Sequence, residues 1–126
     1  MKQLTNFVEN EGILYPIEFQ SLDFEPKRIF FVTNVPKGEI RGKHAHYKTK
    51  QYLICVKGLI QISIYNGCVW DREIIGEGEY TFIDQLLWDE QKYLTGNDIL
   101  LSICSTIYDK NDYINNILEY EKIKNG

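Results

Sequence analysis

Apolar residues recur along this chain in short runs, several of them alternating strictly with polar positions, and each run is closed by glycine, proline or other turn-forming residues. Leu59 to Tyr65 is the clearest case: Ile60, Ile62 and Ile64 alternate with Gln61, Ser63 and Tyr65. A period of two places one set on each face of a β-strand. Asn66-Gly67 then supplies the favoured two-residue hairpin turn, and Cys68-Val69-Trp70 begins the returning strand. Lys27 to Val35, Tyr52 to Val56 and Asp98 to Ser105 predict further strands. Shorter runs do so at Glu73-Ile74-Ile75, Tyr80 to Ile83 and Leu86 to Asp89. Before these, Leu4 to Val8 and Ile13 to Ile17 read as two short strands around the turn at Glu9 to Gly12, the second an edge because of Pro16. Short strands at intervals of roughly 8 to 12 residues predict an antiparallel sandwich or barrel. Only the tail changes period. Tyr113, Ile117 and Tyr120 fall on one face of a helix begun by Asp112 as N-cap.

A length of 126 residues suits one domain spanning 1–126. The hydrophobic share of 44% and the charged share of 25% are those of an ordinary globular protein rather than a disordered one. A net charge of -4 argues against nucleic acid as a partner, because phosphate binding needs clustered lysine and arginine. No apolar stretch reaches the ~20 residues of a membrane span, and the N-terminus has no signal-peptide core. Cys55, Cys68 and Cys104 have no paired spacing and an odd count, so neither zinc nor a disulfide framework is expected. The expected location is the cytoplasm, and Cys55 and Cys104 read as small buried residues.

Both histidines lie in Gly38-Glu39-Ile40-Arg41-Gly42-Lys43-His44-Ala45-His46. Two apart in a strand, His44 and His46 share a face, with Ala45 turned away. Imidazole is the side chain best suited to giving and taking protons at neutral pH, so two of them beside Arg41 point to proton transfer. Isolated polar residues in a sheet would be the blander explanation. As metal ligands, two imidazoles and the amide of Gln51 make a poor set for a divalent ion.

Gly38, five residues, His44-x-His46, four residues, Gln51, six residues, Gly58 resembles the first signature motif of the cupin superfamily, small β jelly rolls that usually carry glutamate where this chain has Gln51. The fuller string Arg41-Gly42-Lys43-His44-Ala45-His46 is similar to that of the dTDP-sugar 3,4-ketoisomerases, the WxcM-like or FdtA/QdtA-like cupins. Lys27 to Phe31, Val35 to Gly38, Glu11 to Leu14, Trp88, Tyr108-Asp109 and Asp112 to Ile114 extend the likeness over nearly the whole chain. The resemblance implies an all-β cupin-type jelly roll with a short C-terminal helix. It also implies isomerisation of a dTDP-linked 4-keto-6-deoxyglucose to a 3-keto-6-deoxyhexose through a cis-enediol, without a cofactor, on the way to a 3-amino sugar of a surface polysaccharide. His44 and His46 would be the catalytic pair. Arg41, Gln51, Tyr15, Trp88 and Asp89 would line the substrate pocket, and a homodimer would be the working form.

Two positions depart from the family. Phe30 and its neighbours stand where many members have a tyrosine, leaving Tyr15, Tyr47 and Tyr52 as alternative hydroxyls. Asp89 stands where several members have histidine or arginine, a position associated with the C4 configuration of the product. For Asp89 a surface carboxylate, and for Tyr15 a residue at the rim of the core, are the competing readings. The competing function is a non-catalytic cupin that binds a sugar nucleotide or another small ligand.

Overall fold

The computed structural model describes residues 2–126. In chain order the strands are β1 (Lys2–Gln3), β2 (Phe7–Glu9), β3 (Gly12–Leu14), β4 (Arg28–Val32), β5 (Ile40–His46), β6 (Gln51–Lys57), β7 (Leu59–Tyr65), β8 (Trp70–Gly76), β9 (Glu79–Ile83), β10 (Trp88–Tyr93), β11 (Ile99–Cys104) and β12 (Tyr113–Ile114), followed by helix α1 (Ile117–Asn125). All pairings are antiparallel. One five-stranded sheet runs β1-β9-β6-β11-β4 and the other β12-β5-β10-β7-β8, while β2 and β3 form a separate hairpin. This is the antiparallel sandwich predicted by the strand spacing, in the jelly-roll form implied by the family resemblance.

Strand parity explains where the core lies. Ile60 and Ile62 on β7, Ile75 on β8, Tyr93 on β10, Leu53 and Cys55 on β6, Ile83 on β9 and Leu100 on β11 close one end of the space between the sheets. Eight such side chains leave water, each aliphatic one worth roughly 1.5–3 kcal/mol. The opposite faces are covered as well. Outside the second sheet, Trp88, Ala45, Tyr65 and Ile114 pack under Tyr120 of the helix. The Tyr120 hydroxyl donates to the carbonyls of Tyr65 and Leu86, at 2.9 and 2.8 Å, which ties the helix to two strand ends.

Three expectations change. The run at Glu73 is no separate strand but the continuation of the hairpin arm from Trp70, because its residues stay in register with β7 from Tyr65 to Leu59. Ile13 to Ile17 stops being strand after Leu14, where the chain turns toward Pro16. The helix starts four residues later than the tail's periodicity predicts: Asn116 is its N-cap, its side chain accepting from the Glu119 amide at 3.0 Å. Asp112 ends a 3₁₀ turn, and Tyr113 and Ile114 pair with His46 and Ala45 of β5. That pairing satisfies backbone groups a helix would otherwise have satisfied, so spacing alone did not discriminate.

Candidate active site

At the other end of the interior the same strands carry polar residues. β5 supplies His44 and His46. A bulge makes Arg41 their neighbour: His44 pairs with Asp89 and Gly42 with Glu90, so Lys43 is the extra residue, and Arg41 then faces Gln91. Without it, parity would send Arg41 to the opposite face. Gly42 (φ 84) and Lys43 (φ 58) both take the left-handed conformation the bulge needs. A Cβ at Gly42 would also lie 3.1 Å from Gln91 Nε2 and 3.2 Å from Asp89 Oδ1.

His46 is 2% exposed and its Nδ1 lies 3.1 Å from Asp112 Oδ2. Asp112 accepts further bonds from the Lys48 amide at 2.7 Å, the Thr49 amide at 3.2 Å and the Thr49 hydroxyl. Although burial opposes its charge, these donors hold the Asp112 carboxyl below the usual carboxylate range. Burial and the neighbouring His44 push the His46 imidazole down to about 4. The pair is therefore a neutral imidazole donating an Nδ1–H hydrogen bond to a carboxylate. His46 Nε2 is left buried, unprotonated and without a partner.

Around it lie His44, with ring centres 5.0 Å apart, and Tyr113, 4.4 Å from His46 and 5.2 Å from His44. Arg28 of β4 reaches in from the facing sheet. Its guanidinium lies over Phe30 and Tyr108 at 5.5 and 5.6 Å and donates to Cys104 Sγ at 3.6 Å. Gln51 Nε2 donates to the same sulfur at 3.4 Å. Cys104 thus sits in a polar setting, whereas Cys55 is core. Asp89, 0% exposed, accepts from Gln91 Nε2 at 2.9 Å, and Gln91 Oε1 accepts from the Tyr93 hydroxyl at 3.0 Å.

Of the seven sequence-derived site residues, the fold brings His44, His46, Arg41, Gln51 and Asp89 to this end of the interior. The surface reading of Asp89 is overturned by its burial. Trp88 is corrected: one residue from Asp89, it points out of the sheet, 3% exposed beneath Tyr120, with its indole donating to Glu90 Oε2 at 3.0 Å. Tyr15 is also placed elsewhere within the chain. It lies outside the first sheet, over Gly78, and donates to Glu77 Oε2 at 3.1 Å. Tyr52 faces that same outer side, packed with Phe24 and Phe82, and Tyr47 is exposed. The hydroxyl absent at Phe30 is matched inside the site by Tyr113 instead. Arg28, Asp112 and Tyr113 went unassigned in the sequence. An acidic residue in the resembling stretch Asp112 to Ile114 was the available signal, read there as a cap.

The donor set does not fit a resident divalent ion. Gln51 turns its amide to Cys104, and no three His, Cys, Asp or Glu side chains converge as ligands among the described residues.

A family model described as FdtA, WxcM-like, C-terminal, matches residues 1–125. This chain belongs to that family. A curated relative from Aneurinibacillus thermoaerophilus, TDP-4-oxo-6-deoxy-alpha-D-glucose-3,4-oxoisomerase, is 25% identical over 91% of this chain and 84% of its own length. The structure of QdtA, a sugar 3,4-ketoisomerase from Thermoanaerobacterium thermosaccharolyticum, in complex with TDP, superposes with a TM-score of 0.92 at 29% identity, over 98% of this chain and 92% of that one. A 3,4-ketoisomerase from Helicobacter canadensis gives 0.92 at 27% identity, over 98% and 95%. A histidine-to-asparagine variant of QdtA has been crystallised with TDP-4-keto-6-deoxyglucose.

Proposed function

We propose that His44 and His46 carry the proton transfers of a sugar-nucleotide 3,4-ketoisomerase whose substrate is a thymidine-diphosphate-linked 4-keto-6-deoxyhexose. That the chain is an isomerase of this kind follows from its family and from its relatives. The residue assignment rests above all on His46, whose Nδ1 is committed to Asp112 and whose Nε2 is free inside the barrel. In the 4-keto sugar the carbonyl acidifies the C3 hydrogen. His46 Nε2 takes that proton, and the C–H electron pair forms the C3=C4 bond as the C4=O π pair moves to O4 and gains a proton there. The cis-enediol then loses its O3 proton to form C3=O while the imidazole pair returns a proton at C4. Asp112 holds the tautomer and stabilises the imidazolium as it forms. Arg41 faces the site from the rim, and its planar guanidinium fork suits an enediolate or a phosphate oxygen. No step needs a cofactor.

The working unit is a homodimer of the 1–126 domain. Phe7, Val8, Ile13 and Leu14 of the β2–β3 hairpin are 54%, 75%, 47% and 58% exposed, an apolar hairpin that pairs with no other strand among the described residues. Three free cysteines suit the reducing cytoplasm, and no helix among the described residues is long and apolar enough to cross a membrane. The 3-keto product is a substrate for amination, which places the reaction before an aminotransferase in making a 3-amino-3,6-dideoxyhexose.

Proton NMR with TDP-4-keto-6-deoxyglucose in deuterated water, with and without EDTA, tests the reading. Deuterium entering the ring and a 3-keto product that persists under EDTA are expected, and the product's C4 configuration is read from the same spectra. Binding without any exchange would instead leave a non-catalytic sugar-nucleotide carrier.

A further inference from the structure

Turning a 3-hydroxy-4-keto sugar into a 3-keto-4-hydroxy sugar moves protons at oxygen as well as at carbon. O4 must gain one and O3 must lose one. The imidazoles account for the carbon protons, so the ketoisomerase reading leaves the oxygen protons without a carrier. Such a carrier needs to be buried with the imidazoles, to keep one atom free for substrate, and to hold its proton at neutral pH.

Asp89 is placed for this. It lies on the inward face of β10 directly across from His44. Its Oδ1 is occupied by Gln91 Nε2, and the Tyr93 hydroxyl fixes that amide by donating to its oxygen. Its Oδ2 is fully buried with no partner. On the other flank β7 offers only Ile64, and the titratable groups that interact with Asp89 are His44 on β5 and Glu90 and Tyr93 on β10 itself.

The contrast with Asp112 is chemical. Asp112 collects four donors and is a carboxylate, whereas Asp89 collects one. Burial raises the Asp89 carboxyl above the usual range, more than His44 and Gln91 lower it. Two carboxyls driven apart by their surroundings are the pattern of two different roles, here a charged carboxylate that steadies His46 and a carboxylic acid beside His44. The glycine at 42 belongs to the same arrangement, since any side chain there would press on both Asp89 Oδ1 and Gln91 Nε2.

We propose that Asp89 is the oxygen-proton carrier of this site, its Oδ2 giving a proton to O4 as the C3 proton leaves and taking the O3 proton as C4 is protonated. In the first half the C3–H pair becomes the C3=C4 bond, the C4=O π pair moves to O4, and O4 takes the proton of Oδ2. In the second half the Asp89 carboxylate takes the O3 proton, the O–H pair forms C3=O, and the C3=C4 π pair takes a proton at C4 from the imidazole pair. Asp89 ends protonated, as it began, and no oxidant or reductant is consumed.

The test pairs Asp89→Asn, which keeps shape and hydrogen bonding, with a measurement on the unsubstituted protein. The variant is expected to bind TDP within about threefold of the unsubstituted chain while kcat falls by about 10²–10⁴. The alkaline fall in kcat, where Asp89 gives up its proton, should vanish with it. Carbon-13 NMR of the aspartate carboxyls in the unsubstituted protein should find Asp89 protonated at neutral pH. An ionised Asp89 there, or an Asn variant with unimpaired kcat, overturns the proposal and leaves the ketoisomerase reading standing. No deuterium exchange by the unsubstituted protein overturns that reading, and the proposal falls with it.

Discussion

The two ends of the interior are built from the same strands and serve opposite ends. On β6 the inward residues run Gln51, Leu53, Cys55; on β11, Cys104, Ser102, Leu100; on β10, Asp89, Gln91, Tyr93. Each strand passes from polar to apolar within about four residues, roughly 13 Å at strand rise. At the apolar end the buried groups need no partners, and burial is worth tens of calories per square ångström. At the polar end three buried atoms, Arg28 Nε, His46 Nε2 and Asp89 Oδ2, have none, each a cost on the order of 1–3 kcal/mol. One end stabilises the fold, and the other spends part of that stability on reactive groups.

The sharpest way to break this comparison is to remove a reactive atom. His46→Asn should cut kcat by about 10²–10⁴ while the protein stays folded and binds TDP, measured by single-turnover NMR and by calorimetry. A variant as active as its parent would move the chemistry elsewhere. Next, Ile60→Ala at the apolar end should cost about 2–5 kcal/mol in urea unfolding, yet leave kcat per folded molecule unchanged. If kcat fell with it, the two ends would not be separable.

Gly42→Ala probes the bulge that brings Arg41 to the histidines. Its φ of 84 alone costs about 1–2 kcal/mol for a residue with a Cβ, and displacement of Asp89 and Gln91 should lower kcat several-fold more than stability accounts for. The most gradual effect is the pH dependence of stability. His46 is held at about 4 in the folded protein against about 6.5 in the unfolded chain, so the unfolded state binds more protons between those values. Stability should therefore fall as pH drops through that window, by at most about 1.4 kcal/mol per pH unit for this one proton. Asp112, depressed when folded, loses its contribution at still lower pH. Asp89 runs the other way: its folded value is raised, so its contribution is present in acid and lost as pH rises. Asp89→Asn should accordingly gain stability at neutral pH, seen as a higher urea midpoint.

Local pattern carried a large part of this fold because most strands here are bounded by their own turn chemistry. β7 ends at Tyr65, where the alternation of its isoleucines ends, and Asn66-Gly67 turns the chain back. His44 and His46 were legible for the same reason: two residues apart in one strand, they share a face wherever the strand is placed.

What local pattern did not carry were the relations between segments distant along the chain. Tyr113 has helical spacing to Ile117 and Tyr120, yet pairs with β5, because the strand edge beside His46 offers its backbone more than one further helical turn would. The same pairing delivers Asp112 to His46 across 66 residues of chain. Trp88 and Asp89 are neighbours in sequence and face opposite sides of a sheet, and only the seat of α1 decides which side is covered. The alternation of side chains thus determined the antiparallel strands and the histidine pair from sequence alone, and the motif around the histidines implied the jelly roll. The partners that make one imidazole a base and one carboxyl an acid were decided by tertiary structure, because they depend on which distant donors and how little water surround each group.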